Sequence, residues 1–222
     1  MIIRPIGQSG YIIKSSNTKL AIDPYLSDVV NRTCGRPRML PAPMRPNELD
    51  VDAVICTHNH LDHIDTDSIP DMNNDILFIS TNDGAEKIKQ LGKNHVKALE
   101  IGESVAVGDF TVTAVYAKHT VNAFGIILKA EEKTLYFSGD TLFCKELFEI
   151  SKYKPYAAFI CINGKLGNMN VDEAVITAKK IGAKVNIPNH YDMFASNTED
   201  PKLFTGNVNG GMIMEFNKEY EI

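Results

Sequence analysis

Thr57-His58-Asn59-His60-Leu61-Asp62-His63 is the stretch that decides the fold: three imidazoles and a carboxylate fall within residues 58–63, directly after an apolar run at 51–57. In an extended strand His58 and His60 share one face. A turn through Leu61 then brings Asp62 and His63 round from another side. Imidazoles crowded beside an apolar strand lose hydration and need a compensating partner. Nitrogen and carboxylate donors together suit zinc, manganese or iron better than calcium or magnesium, so the stretch reads as part of a metal centre.

One such cluster does not complete two metal sites, and further donors lie downstream. His119 follows the apolar run 110–117, and Asp140 stands in Ser138-Gly139-Asp140-Thr141 after Leu135-Tyr136-Phe137. His190 follows Val185-Asn186-Ile187-Pro188. Each is a ligand-type residue placed where a buried strand ends, the usual position for groups that a rigid scaffold presents. The sixth histidine, His95 in Lys93-Asn94-His95, reads as a solvated loop residue.

Working outward, short β-type runs at 2–6, 11–14 and 19–22 open the chain as a meander, separated by Gly and Asn turn signals. Strands are predicted at 51–57, 76–80, 96–101, 104–107, 110–117, 123–129, 134–138, 156–162 and 184–187. Helices are predicted at 83–91, 145–151 and 171–181. Meandering strands followed by β-α alternation in both halves predict two packed sheets with helices outside, a four-layer αββα sandwich. With 222 residues and no convincing linker, one domain spanning 1–222 is expected.

At 44% hydrophobic residues the chain has material for a large core, which excludes disorder as the dominant state. The net charge of −5 is a poor match to nucleic acid, and the absence of Trp leaves few stacking platforms. No span approaches the length of a membrane helix. Cys34, Cys56, Cys144 and Cys161 lack metal-finger or C-x-x-C spacing. The expectation is a protein of a reducing compartment, most simply the cytoplasm, with no nucleic-acid or membrane partner; self-association is left open.

The spacing His58-x-His60-x-Asp62-His63, then His119, Asp140 and His190, resembles the metallo-β-lactamase superfamily. Asp23-Pro24-Tyr25-Leu26-Ser27-Asp28, the stretch 57–65, Asn163-Gly164-Lys165-Leu166-Gly167-Asn168-Met169-Asn170 and His190-Tyr191-Asp192-Met193-Phe194 resemble its L-ascorbate-6-phosphate lactonase branch. The resemblance implies an αββα hydrolase using two divalent ions, manganese or zinc, with iron also compatible. It implies that His58, His60 and His119 hold one ion, that Asp62, His63 and His190 hold the other, and that Asp140 bridges them. Two such ions share a hydroxide, lower its pKa and polarise the oxygen under attack. Asp62, Asp140 and His190 thus form the expected catalytic set, with Asp62 or Asp140 orienting the nucleophile or accepting its proton. Asp23 is expected to orient a ligand histidine.

The function this implies is hydrolysis of a lactone or ester of a small, sugar-like, anionic substrate, with or without a phosphate. A phosphodiesterase on the same centre is the alternative, followed by a di-iron redox protein, whose branch carries a carboxylate ligand where Asn59 stands, or a non-catalytic metal-binding protein. Residues 24–50 form a proline-rich loop with Arg32, Arg36, Arg38 and Arg45 and no acid between Asp28 and Glu48. It reads either as a solvated loop or as a lid that grips an anion by forked hydrogen bonds, with Arg36 and Arg38 as candidates. Asn163 and Asn168 are candidate partners for substrate hydroxyls. Asn170 with Glu173 has N-cap spacing. Asp192 reads as a substrate or ligand-supporting carboxylate or as a surface turn acid, and Asp65 and Asp67 as helix-start carboxylates.

Overall fold

The computed structural model describes all 222 residues. Strands β1 (Ile2–Gly7), β2 (Gly10–Lys14) and β3 (Lys19–Ile22) form the opening meander. They continue through β4 (Ala53–Ile55), β5 (Leu77–Ser80) and β6 (Val96–Ala98). The second sheet contains β7 (Ser104–Val107), β8 (Phe110–Tyr116), β9 (Phe124–Ala130), β10 (Lys133–Phe137), β11 (Ala157–Cys161) and β12 (Val185–Asn189). A last strand, β13 (Tyr220–Glu221), returns to the first sheet. The strand orders are β13-β1-β2-β3-β4-β5-β6 and β12-β11-β10-β9-β8-β7. Within them β3 to β6 run parallel, as do β10 to β12.

Alternation along the strands builds the layers. In β4, Ala53 and Ile55 face inward to the inter-sheet core while Val54 faces out. In β11, Ala157 and Phe159 face in while Ala158 and Ile160 face out. The outer face of the first sheet is covered by Ile64, Ile69, Met72 and Ile88. The outer face of the second is covered by helices with Leu147, Ala174, Ala178 and Phe204. This is the expected αββα sandwich.

The helices are α1 (Val29–Cys34), α2 (Asn82–Gln90), α3 (Val171–Ile181) and α4 (Pro201–Thr205). The α3 start follows its sequence signal: Asn170 accepts from the Glu173 amide and Glu173 accepts from the Asn170 amide. One expectation is corrected. Residues 24–50 are not all loop, because Val29 and Val30 bury beside Tyr25 and Phe194 in the short α1. The helix expected at 145–151 is present over Lys145–Tyr153 and is of the 3₁₀ type. Its inward residues Leu147, Ile150 and Tyr153 recur every third position, the period that a 3₁₀ helix stacks in one row.

Phe159 lies wholly buried between the sheets, stacked on Phe137 at 4.2 Å and edge-on to Tyr11 at 4.9 Å. Phe159→Ala is expected to cost about 3–5 kcal/mol, the range for removing a buried aromatic ring, measured by urea unfolding.

Candidate metal centre

The ligand-type residues gather at the C-terminal ends of strands in both sheets. His58 lies three residues past β4, His119 three past β8, Asp140 three past β10 and His190 directly after β12. Two isolated backbone bridges, His58 to Ala123 and Gln8 to Tyr191, join the sheets at this edge. Two glycines allow the close approaches. Gly139, at φ 58°, precedes Asp140 where a Cβ would crowd the Phe124 carbonyl and Thr57. Gly167, at φ 93°, lies against the His119 ring, where a Cβ would come within 2.9 Å of Nδ1.

Donor atoms converge in three overlapping groups: His58, His60 and His119; His58, His63 and Asp140; and Asp62, His63 and His190. In the first, His60 Nδ1 lies 3.0 Å from His58 Nε2 and 3.2 Å from His119 Nε2. Nitrogens about 2.1 Å from a tetrahedral ion stand about 3.4 Å from one another, so this spacing fits a cation. In the second half, His63 Nε2 and His190 Nε2 each lie 3.7 Å from Asp62 Oδ2. Asp140 stands between the halves, 3.4 Å from His63 Nε2, 3.2 Å from His190 Nε2 and 3.9 Å from His119 Nε2. His63 Nε2 and Asp140 Oδ1 are buried without a hydrogen-bond partner and face each other at 3.4 Å, an arrangement that a cation held between them would satisfy.

The supporting bonds fix which ring nitrogens face inward. Asp23 is buried after β3, and it accepts from the Thr57 amide, the Thr57 hydroxyl and His63 Nδ1, each at 2.8 Å. With its proton given to Asp23, the Thr57 hydroxyl is left to accept from His58 Nδ1 at 3.0 Å. His119 Nδ1 donates to the Gly167 carbonyl at 3.1 Å. Tying Nδ1 in this way leaves Nε2 of His58, His63 and His119 for the centre.

The two halves differ electrostatically. Burial, joined by the neighbouring His63, holds the His58 pKa well below the usual imidazole value, and burial with His119 lowers that of His60. Burial also opposes charge on His63 and His190. There the carboxylates win: Asp23, Asp140 and Asp62 hold His63 well above its usual value, and Asp140 and Asp62 push His190 up to about 9. Asp140 is held well below the carboxylate range, because His190 and His63 outweigh its burial. Asp62 moves the same way, with His63 and His190 again overcoming burial.

A cleft of about 530 Å³ opens over the centre. His60, Asp62, Asp140 and His190 reach its wall, together with Arg36, Thr120 and Asn197, and with apolar Val30, Leu61, Leu166 and Phe194. Leu166 is 54% exposed there at φ 54°. The other candidates lie elsewhere. Arg38 is corrected: its guanidinium donates to the carbonyls of Tyr25, Ser27, Leu40 and Pro41 and lies over the Tyr25 ring, so it ties down its own loop. Arg32 pairs with Asp67. Asn168 donates to Asp140 Oδ2 at 2.9 Å, and Asn163 donates to Asn197 Oδ1 at 2.8 Å; neither lines the cleft. Asp192 is exposed, contacts Thr198 and faces a different, smaller cavity. Asp65 is a buried hub for the Leu26 and Ser27 amides and the Ser27 and Ser68 hydroxyls. His95 is exposed.

Sequence reasoning passed over Gln8 and Asn197. Gln8 Nε2 donates to Asp62 Oδ2 at 2.7 Å and lies 3.1 Å from His190 Nε2. Its only sequence signal is the Gly7-Gln8-Ser9-Gly10 turn at the end of a strand.

A centre of this kind, at one edge of an αββα sandwich, defines a class that the comparisons make specific. Residues 18–191 match the family described as the beta-lactamase superfamily domain. The chain belongs to this superfamily, and its two packed sheets display the metallo-β-lactamase fold. A UPF0173 metal-dependent hydrolase of Oenococcus oeni is 28% identical over 240 residues, covering all of both chains. Among solved structures, Igni18, a metallo hydrolase of the hyperthermophilic archaeon Ignicoccus hospitalis, aligns with TM-score 0.81 at 22% identity over 100% of this chain and 98% of its own. The isothiocyanate hydrolase from Delia radicum gut bacteria aligns with TM-score 0.83 at 21% identity, over 100% and 99%. At these identities the structural likeness carries the fold. No helix is long and apolar enough to cross a membrane.

Cation uptake is expected to compete with protons at His63 and His190. Chelator-stripped protein titrated with Zn²⁺ at pH 7 should release protons, seen as buffer-dependent heats in calorimetry, and the apparent affinity should rise towards pH 9. The His190 pKa of about 9 lies above the unfolded value, near 6.5. Its contribution to the stability of the stripped chain is therefore full below about pH 6.5 and lost as pH rises through about 9.

Proposed function

We propose that the chain is a metal-dependent hydrolase that opens a lactone, or cleaves a related ester, of a small substrate carrying one anionic group. The carrying observation is the pair of donor groups joined by Asp140 on the wall of a cleft that also presents Arg36. The hydrolase names of the relatives support the same reading. His58, His60 and His119 hold one divalent cation, Asp62, His63 and His190 the other, and Asp140 faces both. Manganese and zinc suit the donors, and iron is compatible. Cations held there supply Lewis acidity, lowering the pKa of water and polarising the oxygen under attack.

The chain's own groups do the rest. Arg36 is the one arginine or lysine on the cleft wall, and it offers a forked pair of donors to a carboxylate or phosphate. Val30, Leu61, Leu166 and Phe194 take the apolar part of the substrate and exclude water, while Thr120 and Asn197 offer hydrogen bonds. This lining favours a substrate less polar than a sugar. Asn168 holds Asp140 in place, and Asp23 does the same for His63. Four free thiols, with Cys34 exposed, fit a reducing compartment such as the cytoplasm.

Protein reloaded with Mn²⁺ or Zn²⁺ is expected to open carboxylate- or phosphate-bearing lactones, and chelation or His60→Ala should abolish this. Arg36→Met should raise KM for such substrates by about 10- to 100-fold, the worth of a charge-assisted hydrogen bond, with a much smaller change in kcat. Turnover of bis(p-nitrophenyl) phosphate with no turnover of any lactone or ester would replace this reading by a phosphodiesterase.

A further inference from the structure

Gln8 sits in the turn between β1 and β2 with left-handed backbone, φ 54°, and is 5% exposed. A non-glycine residue held at such an angle is strained, and surrounding structure must enforce it. Here the enforcing contact is the backbone bridge from Gln8 to Tyr191, the neighbour of His190. His190 itself is at φ 62°. Two strained backbones therefore face each other across the sheets, and their side chains meet at one cluster.

The Gln8 carboxamide nitrogen lies 2.7 Å from Asp62 Oδ2 and 3.1 Å from His190 Nε2. Those atoms belong to two of the three residues of the Asp62, His63 and His190 donor group. Gln8 Oε1, on the other side of the same amide, is buried with no donor. A buried polar atom left unpaired costs about 1–3 kcal/mol. A half-turn about the terminal torsion exchanges the two amide atoms, and the carboxamide oxygen is the better partner for a cation. Gln8 does not reach the cleft. It lines a separate cavity of about 180 Å³ with Tyr191 and Asp192, while its amide touches Asp62 and His190, which line the cleft.

We propose that Gln8 supplies its carboxamide oxygen to the cation held by Asp62, His63 and His190, as a ligand that is not part of the cleft wall. The inference rests on the two-cation reading above. It makes the two sites unequal. Gln8, Asp62, His63, His190 and Asp140 ring one cation, whereas three imidazoles and Asp140 face the other. The open position that chemistry requires then falls at the His58, His60 and His119 site.

The test counts and ranks the cations. Chelator-stripped full-length protein is titrated with Zn²⁺ by calorimetry, with bound metal counted by mass spectrometry, and with Co²⁺ by visible absorption. Wild type should take two equivalents. Gln8→Leu should keep the first and weaken the second by at least about tenfold, with the Co²⁺ bands of the second equivalent altered. Gln8→Glu restores an oxygen ligand but no donor to Asp62, and it should hold the second equivalent at least as tightly as wild type. Gln8→Leu binding both equivalents with wild-type affinity overturns the proposal, as does equal weakening by both variants, since that pattern marks Gln8 only as a hydrogen-bond donor. Should Gln8→Leu fail to fold, loss of the second equivalent from folded Gln8→Glu overturns it. Wild type that takes fewer than two equivalents overturns the two-cation reading itself, whatever the variants do.

Discussion

The hydrogen bonds to the Asp23 carboxylate are the constraint on which the centre depends. A buried carboxylate must be satisfied by protein groups, and Asp23 finds three of them on the 57–63 turn. The Thr57 amide bond sets where that turn leaves β4. The Thr57 hydroxyl, donating to Asp23, must accept from His58, and His63 donates directly. One anion at the end of β3 therefore sets the tautomer of two rings on the turn that follows the neighbouring parallel strand. Replacing it with an apolar group would free the rings and leave the Thr57 amide unpaired, so the effect would reach both halves of the centre.

Asp140 plays the matching part on the second sheet, but it depends on a loop. Its oxygen Oδ2 is held by Asn168, and Gly167 in the same loop accepts from His119. The 163–170 segment thus positions a donor for each half. It also presents Leu166 to the cleft. Substrate contact and cation support are coupled through one short stretch of backbone, whose conformation depends on Gly164 and Gly167 at positive φ.

Much of this was legible in the sequence. Residues such as His119, Asp140 and His190 end apolar runs, and a strand end is where a polar side chain survives only with a partner. The fold was legible for the same reason, since alternating or continuous apolar runs mark strands whose two faces are both covered. The arginine loop shows where sequence stops. Its local excess of positive charge pointed to an anion site, yet Arg32 found Asp67, Arg38 found four carbonyls and Arg45 does not line the cleft, so of the four only Arg36 reaches its wall. Composition counts charges but not the tertiary partners that use them up. Gln8 escaped for a related reason: a neutral amide in a glycine-flanked turn looks like turn chemistry, and its meaning comes from residues 54 and 182 positions away.

The charge balance of the centre explains how one fold tolerates so dense a cluster. Asp23, Asp62 and Asp140 put three carboxylates into a buried volume, an arrangement that repulsion and desolvation oppose. His63 and His190, both held in the protonated range at neutral pH, offset two of them. Those protons sit on the nitrogens that face the centre, where a divalent ion would take their place. Folding and cation binding thus answer the same electrostatic demand. The imidazole-rich half has no such proton reserve, because burial lowers the pKa of His58 and His60, joined by His63 for the first and His119 for the second. Its nitrogens meet at hydrogen-bond distance instead, with His60 Nδ1 3.0 Å from His58 Nε2 and 3.2 Å from His119 Nε2. A cation there displaces a proton shared among neutral rings, whereas in the half containing Gln8 it displaces protons that balance carboxylates.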